Sequence, residues 1–455
     1  MDTQYRSFAT SRRLRRTAHR LVPGGCHTYA KGDDQYPVLA PGFIARGSGC
    51  RVWDADGNQY IEYGMGNRAV GLGHAWPEVV EAAREWLAHG ANFTRPAAIE
   101  VECAEQFLEL IAGAEMVKFC KDGSDATSGA MRLARAWTGR DLIAICTDHP
   151  FFSTDDWFIG TTPVDAGIPE VVKRLTLGFR YNDIASVETL FRDHPGQIAA
   201  LILEPSRGED PVDDFLHHVR RLCTQHGALL VLDEMITGFR WHLAGAQKLY
   251  GVEPDLSTFG KAMGNGFSIS ALAGKREIMS LGGLEQTERP RVFLLSTTHG
   301  AETHAMAAAI ANMQIYRREP VIEHLHRQGA ALRAHAEQAI RRHGLQDHVR
   351  IVGRSCCLAY ATLDADGRPS QAFRSLFLQE TIRRGVLMPS LVVSYAHQDE
   401  DIVRTVDAID GALGVYRRAL EDGVEHHLIG RPSQVVYRRF NTPGAVPADL
   451  GAARA

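Results

Sequence analysis

Short apolar runs alternating with amphipathic helical patterns between residues 75 and 320 predict an α/β fold. Its large domain is expected to hold a mostly parallel sheet with helices on both faces. Two further observations shape this expectation. From about residue 321 the pattern changes to charged helices and short strands, while residues 1–74 are turn-rich with one hairpin signature. Both chain ends are therefore expected to build a small α+β domain. The expected boundaries are 1–74 for its N-terminal part, 75–320 for the large domain, 321–430 for its C-terminal part and 431–455 for a partly disordered extension.

The elements follow in chain order. Residues 1–20 read as a helix or loose arm, and LVPGGCHTYAKGDDQYP as turns. GCRVWDADGNQYIEYG reads as a two-strand hairpin with Asp56-Gly57 at its turn. PEVVEAAREWL opens on Pro77 with Glu78 in the first turn, as a helix start does. EVECAEQFLELI continues the helical pattern. Apolar strands are expected at 116–120, 142–146, 198–204 and 228–233. Beyond them come the charged helix EPVIEHLHRQGAALRAHAEQAIRRHGL, strands near IVGRSCCLAYATL and GVLMPSLVVSYA, and a last helix ending near 420. The final thirty residues turn basic and then Pro/Ala/Gly-rich, with the last ten or so expected to be disordered.

Composition narrows the function. The chain has 455 residues, 45% apolar and 23% charged, with a net charge of −4. These are the values of an ordinary soluble protein and give no reason to expect nucleic acid as a partner. Eight cysteines show no CxxC spacing, and no metal site is expected. The N-terminus has no apolar signal region and no run of 18 apolar residues occurs, so a cytoplasmic protein without a membrane partner is expected. No GxGxxG follows a first strand, which disfavours a nicotinamide-binding fold.

The chemistry centres on the apolar run 228–232, which ends in Asp233 and Glu234, and on Lys261, twenty-eight residues beyond Asp233 in a turn with Gly260, Gly264 and Gly266. An acid at a strand end and a lysine in a glycine-rich turn suit pyridoxal 5′-phosphate (PLP), with Asp on the ring nitrogen and Lys as the Schiff-base partner. The chain has only seven lysines, and Lys261 alone lies in such a Phe-Gly-Lys-Ala setting.

The segments DEMITGFR and PDLSTFGKAMGNG resemble the class III (omega-type) aminotransferases of fold type I. Within them they resemble the glutamate-1-semialdehyde aminomutase branch, which reads approximately DEVxTGFR and PDLxxxGKxxGGG. That resemblance implies Lys261 and Asp233 as catalytic residues. KDGSDATSGAMRLARAWTGRD is similar to NSGTEAxxxAxRLARxxTGRD, which places the phosphate anchors on Gly123 and Ser124 at a helix N-terminus. Asp122 is left out of that set, since an acid beside a phosphate is unfavourable unless it points away. DHPFFSTDDWFIG puts Phe151 at the ring-stacking position, and Met235 falls on the opposite ring face. Glu204 follows a strand in LILEPSRG, where it is expected to orient nearby polar groups. Thr298, in FLLSTTHGAETHAMAAAIA, falls on the threonine that reaches the partner subunit's phosphate, which implies a homodimer with shared active sites.

The departures from the branch concern substrate. Lys31 stands where the branch has an arginine for the substrate carboxylate. Gly66-Asn67 replaces its Ser-Trp pair, followed by Arg68, and PSLVVSYAH lacks its glutamate. With His27, the residues Lys31, Asn67 and Arg68 are expected to face the substrate. These departures favour transamination between an amino-acid donor and a carbonyl acceptor other than glutamate 1-semialdehyde, such as a hydroxylated or sugar-like compound. The alternative is an aminomutase of the glutamate-1-semialdehyde type.

Overall fold

The computed structural model describes residues 7–441. The expected disorder at the chain's end falls on positions outside these residues. Thirteen strands lie among the described residues: β1 (Ile44–Ser48), β2 (Arg51–Asp54), β3 (Gln59–Glu62), β4 (Met116–Cys120), β5 (Leu142–Cys146), β6 (Thr176–Phe179), β7 (Ile198–Leu203), β8 (Leu229–Asp233), β9 (Leu256–Phe259), β10 (Ser270–Gly274), β11 (Val349–Val352), β12 (Ala359–Thr362) and β13 (Val386–Leu387). The chain forms two compact units. One comprises residues 66–72 and 76–323; the other comprises residues up to 65, 73–75 and those from 324 onward.

The unit built around residues 76–323 holds a seven-stranded sheet in the order β4-β10-β9-β8-β7-β5-β6. Strands β9, β8, β7, β5 and β6 run parallel, whereas β10 is antiparallel to both β9 and β4. Every residue of β7, β8, β9 and β10 is buried. This is why IAALIL and LLVLD read as unbroken apolar runs rather than alternating ones. The helix Gly123–Thr138 starts at the N-cap Asp122, ends at Gly139 with φ 68°, and buries Ala126, Ala130, Met131, Leu133 and Ala134. The helix Thr303–Arg318 buries apolar residues on most of its circumference. Pro77 opens the helix Pro77–His89, with Glu78 in its first turn.

Register sets the polar end of this sheet. Leu203 pairs with Leu232 across β7 and β8, and Asp233 pairs with Thr258 across β8 and β9. Glu204, Asp233 and Thr258 therefore stand side by side at three neighbouring strand ends, where ligands bind in sheets of this kind.

The other unit contains a four-stranded sheet, β1-β2-β3-β13, in which β13 adds parallel to β3. The hairpin expected from sequence is β2–β3. The Asp54 carboxylate accepts from the Asp56 and Asn58 amides at 3.0 and 2.8 Å, closing a turn in which Gly57 has φ 87°. β11 and β12 form a second antiparallel pair. The part of the extension that is described packs within this unit. Arg438 pairs with Asp34 at 2.7 Å, and the Ser433 amide donates to Ser375 Oγ at 2.7 Å.

One close approach in the first unit is testable. A Cβ at Gly71 would meet the Tyr316 hydroxyl at 2.1 Å and the Tyr316 ring no closer than 3.4 Å. Gly71→Ala is expected to lower the melting temperature by several degrees, and adding Tyr316→Phe should restore most of the loss. An unchanged melting curve in the single variant would refute this packing.

Candidate active site

Side-chain chemistry converges at the ends of β7, β8 and β9. Asp233 and Glu204 are buried, with 3% and 2% of their surface exposed. Asp233 Oδ1 accepts from the Met235 amide at 3.0 Å and from the Thr258 hydroxyl at 3.2 Å. Glu204 Oε1 accepts from Arg207 at 2.5 Å, while its buried Oε2 has no hydrogen-bond partner among the described residues. The Glu204 amide donates to His149 Nδ1 at 3.0 Å, and burial pushes that imidazole down to about 4, so it is neutral at pH 7. Burial, and then the Glu204 carboxylate, push the Asp233 carboxyl up to about 7. The Lys261 ammonium, the Met235 amide and the Thr258 hydroxyl pull in the opposite direction. The neighbouring Glu234 is spent on structure: it accepts from the amides of Ala246 and Gln247 at 2.8 and 2.6 Å and from the Thr237 hydroxyl.

Lys261 begins a single 3-10 turn, Lys261–Gly264, directly after β9 and has a positive φ of 46°. Its side chain is partly exposed. Burial pushes its ammonium below the ordinary lysine value. Asp233 and Glu204 oppose that shift, and Arg207 and Arg68 add to it. The turn is clamped from the helix Thr303–Arg318, where the buried Asn312 donates to the carbonyls of Ala262 and Met263 at 3.0 Å each.

The segment 65–68 is strained. Met65, Gly66, Asn67 and Arg68 have φ values of 43°, 60°, 57° and 72°, one turn of left-handed backbone. Such a conformation costs roughly 1–2 kcal/mol for each residue that is not glycine. Arg240, fully buried, donates to the carbonyls of Arg68 and Val70 at 3.1 and 3.2 Å. Asn67 and Arg68 are both half-buried.

The helix start falls at Gly123, where the sequence places it, and Asp122 caps it. Asp122 does not turn away: its Oδ1 accepts from the amides of Ser124 and Asp125 at 2.8 and 3.1 Å. This is the side-chain capping that Asp favours at a helix N-terminus, and it occupies the Ser124 amide counted as a phosphate anchor. Ser124 Oγ accepts from the Thr154 amide at 3.0 Å. Met235 lies against this end, since a Cβ on Gly123 or Gly260 would meet its sulfur at 3.0 or 2.7 Å. Phe151 is 43% exposed, whereas Phe152 is core and its carbonyl accepts from Thr127 Oγ1 at 2.8 Å. Thr298 is exposed, with its carbonyl accepting from the Asn92 side chain at 3.0 Å. Lys31 and His27 belong to the other unit, where both are exposed.

The first unit thus gathers Glu204, Asp233, Met235 and Lys261 at one sheet edge. The structure adds Arg207, Thr258, Asn265 and Asn312 to that neighbourhood. Asn265 was visible in the sequence as the middle of GNG where the related pattern has GGG. No residue type or spacing marked Asn312.

The model of the aminotransferase class-III family matches residues 29–147 and 160–412. The chain belongs to that family. It is 32% identical over 438 residues to a glutamate-1-semialdehyde 2,1-aminomutase of Desulforamulus reducens, covering 91% of this chain and 99% of that protein. The protein of the same name from Syntrophomonas wolfei is 35% identical over 427 residues, covering 87% and 96%. Among solved structures, the PLP internal aldimine form of the FumI protein of Sphingopyxis sp. MTA144 matches with a TM-score of 0.83 at 32% identity, over 91% of this chain and 98% of that one. The class III fold is the PLP-dependent fold type I, and its cofactor is PLP.

The residues present fit that group. Asp233 is a buried carboxylate pushed up to about 7 that forms no direct salt bridge among the described residues, and a protonated ring nitrogen would supply that partner. The orphaned Glu204 Oε2 adds an unused acceptor, and the glycines at 123 and 260 let the backbone close on the Met235 sulfur, where a Cβ would not fit. Phe151 lies in the unmatched stretch 148–159, so its stacking role draws nothing from the family match.

The comparisons overturn the expectation of an aminotransferase acting on an acceptor other than glutamate 1-semialdehyde. Relatives sharing 32–35% of residues over most of the chain carry the aminomutase name, which favours the alternative. Three local departures were given more weight than identity spread over the whole fold, although a residue's type at one position does not disclose which partner it meets.

The site's charge has a measurable cost. Asp233 titrates near 7 when folded, against an ordinary 3.8, so the folded cofactor-free protein holds a proton that the unfolded chain has lost between those values. Its contribution to stability therefore falls as pH rises from about 4 to about 7. In cofactor-free protein, Asp233→Asn is expected to raise the melting temperature by a few degrees at pH 8 and by less at pH 5. Thermal melts of both proteins at the two pH values check this, and a variant no more stable than its parent at pH 8 contradicts it.

Proposed function

We propose that this class III enzyme is an aminomutase of the glutamate-1-semialdehyde type, moving an amino group between neighbouring carbons of one small substrate. The observation that carries the reading is the run of aminomutase relatives at 32–35% identity over 86–92% of the chain. When bound, PLP supplies an aldehyde that holds a primary amine and a ring that withdraws electrons from the adjacent carbon.

The residues divide the remaining work. Lys261 is the proton carrier: burial shifts its ammonium down, so Nζ is more readily a neutral amine than that of a surface lysine, and it would take a proton from one carbon and deliver that proton to the neighbouring one. Asp233, held by the Met235 amide and the Thr258 hydroxyl, keeps a proton on the ring nitrogen. Glu204, tied to Arg207, presents Oε2 as a further acceptor. Gly123 and Ser124 are assigned to the phosphate end, Met235 to one ring face and Phe151 to the other. Asn67 and Arg68 are assigned to the substrate, and so, on sequence grounds, are Lys31 and His27. Thr298 is assigned to the phosphate of a partner subunit, which makes the working unit a homodimer.

An aminomutase needs no second amine. PLP-loaded protein given glutamate 1-semialdehyde alone is expected to form 5-aminolevulinate, with neither an amino donor nor a keto acid added. Product that appears only when a donor is supplied would sink the reading. Lys261→Ala should keep the fold and lose turnover by several orders of magnitude. Mass analysis after borohydride reduction should find the cofactor on Lys261 in the parent.

For assembly, Thr298→Ala is expected to weaken PLP retention in a protein that sediments as a dimer. A monomer that binds PLP stoichiometrically would exclude the shared site.

A further inference from the structure

One departure from the aminomutase pattern bonds to the backbone three and four residues beyond another. Asn265 stands in GNG where the pattern has GGG, and Gly66-Asn67-Arg68 replaces its Ser-Trp-Gly. The Asn265 side-chain oxygen accepts from the amides of Gly71 and Leu72 at 3.0 and 2.9 Å. Asn265 is 7% exposed and sits at φ 43°, a conformation glycine would adopt without strain. A glycine would bring no acceptor, so the segment's two amides would lose their partner.

The geometry makes a rigid bridge. Asn265 closes the turn that Lys261 opens, and Asn312 holds that turn through the carbonyls of Ala262 and Met263. The segment 66–72 is held on its other side by Arg240, through the carbonyls of Arg68 and Val70. Its carbonyls are thus tied to Arg240 and its amides to Asn265. We propose that Asn265 is a positioning residue that fixes the strained segment carrying Asn67 and Arg68 against the turn carrying Lys261. The inference rests on the reading that Lys261 is the reacting lysine.

An electrostatic consequence follows. The charged groups facing Lys261 are Asp233, Glu204, Arg207 and Arg68. Three of these stand on or just after strand ends, and Arg68 alone rides on the tethered segment. Releasing the tether moves one positive charge and leaves the other three in place.

The test uses PLP-loaded protein and the variants Asn265→Gly and Asn265→Asp. Glycine removes the acceptor while relieving backbone strain, which offsets part of the cost of leaving two amides unpaired; aspartate retains an acceptor oxygen. Two readouts need no substrate: hydrogen exchange of the peptide spanning 66–73, and the pH midpoint of the absorbance of the lysine-linked cofactor. Asn265→Gly is expected to speed exchange at Gly71 and Leu72 at least tenfold and to raise the pH midpoint by about half a unit, because Arg68 no longer depresses Lys261. Asn265→Asp is expected to keep the exchange protection. With glutamate 1-semialdehyde as substrate, Asn265→Gly should raise KM about tenfold and change kcat less than threefold. Unchanged exchange or an unmoved midpoint in Asn265→Gly overturns the proposal. So does exchange in Asn265→Asp as fast as in Asn265→Gly, because the acceptor oxygen would then not be the tether. If the aminomutase reading fails, only the kinetic arm is lost, and exchange and midpoint still decide the role of Asn265.

Discussion

Placing two carboxylates and one lysine at the buried end of an apolar sheet is the constraint around which the larger unit is built. Register alone puts Glu204 and Asp233 on adjacent strands, and two like charges so placed resist ionising together. Four groups share the relief: Arg207 on Glu204, Lys261 through its attraction to both acids, and the Met235 amide and Thr258 hydroxyl on Asp233. Each is incomplete, as the raised Asp233 and the unpartnered Glu204 Oε2 show. A site fully satisfied by its own protein would have nothing left to offer a cationic ring. The strands behind it, buried throughout and mostly apolar from β7 through β10, supply the stability that tolerates the mismatch.

Strain gathers at the same place. Lys261, Asn265, Phe239, Asn67 and Arg68 all carry positive φ, and none is glycine. Such backbone persists only where surrounding bonds over-determine it. Here the restraints are specific: Asn312 on the lysine turn, Arg240 on the carbonyls of Arg68 and Val70, and Asn265 on the amides of Gly71 and Leu72. Each is a buried polar side chain bonding to backbone, an arrangement whose removal costs more than the net value of its hydrogen bonds because the freed groups remain buried.

What could be read in the sequence divides along physical lines. Parallel strands buried on both faces are continuous apolar runs, so β4, β5, β7 and β8 were visible as such. β13 falls within the strand expected near GVLMPSLVVSYA, whereas β6, four residues long, was not visible, and β9 and β10 are submerged in the lysine motif. Asp233 and Lys261 were legible because residue type and spacing carry chemistry together. Asp122 could be set aside from the phosphate anchors on charge alone, but its type suits both a cap and a repulsive neighbour, and only geometry shows that it caps. Arg207, Asn312 and Arg240 act through backbone or through another side chain, and nothing in their immediate sequence says which. The substrate inference failed for the same reason. The consequence of Asn67 and Arg68 depends on a left-handed turn that composition does not announce.

The helix start at Gly123 completes the argument by facing the opposite problem to the strand ends. At the strand ends the protein holds negative charge that needs a cation; at the helix start it holds N–H groups that suit an anion, and Asp122 already serves two of them. The same carboxylate that stabilises the helix in cofactor-free protein is therefore a local competitor for the Ser124 amide. Lys121, next in the chain, is engaged by Glu302 and so does not offset Asp122 at full strength. The two ends of the site thus trade stability of the empty protein against affinity in opposite senses. An uncompensated acid at Asp233 lowers stability and favours a cationic ring, whereas a satisfied helix cap at Asp122 raises stability and opposes a phosphate.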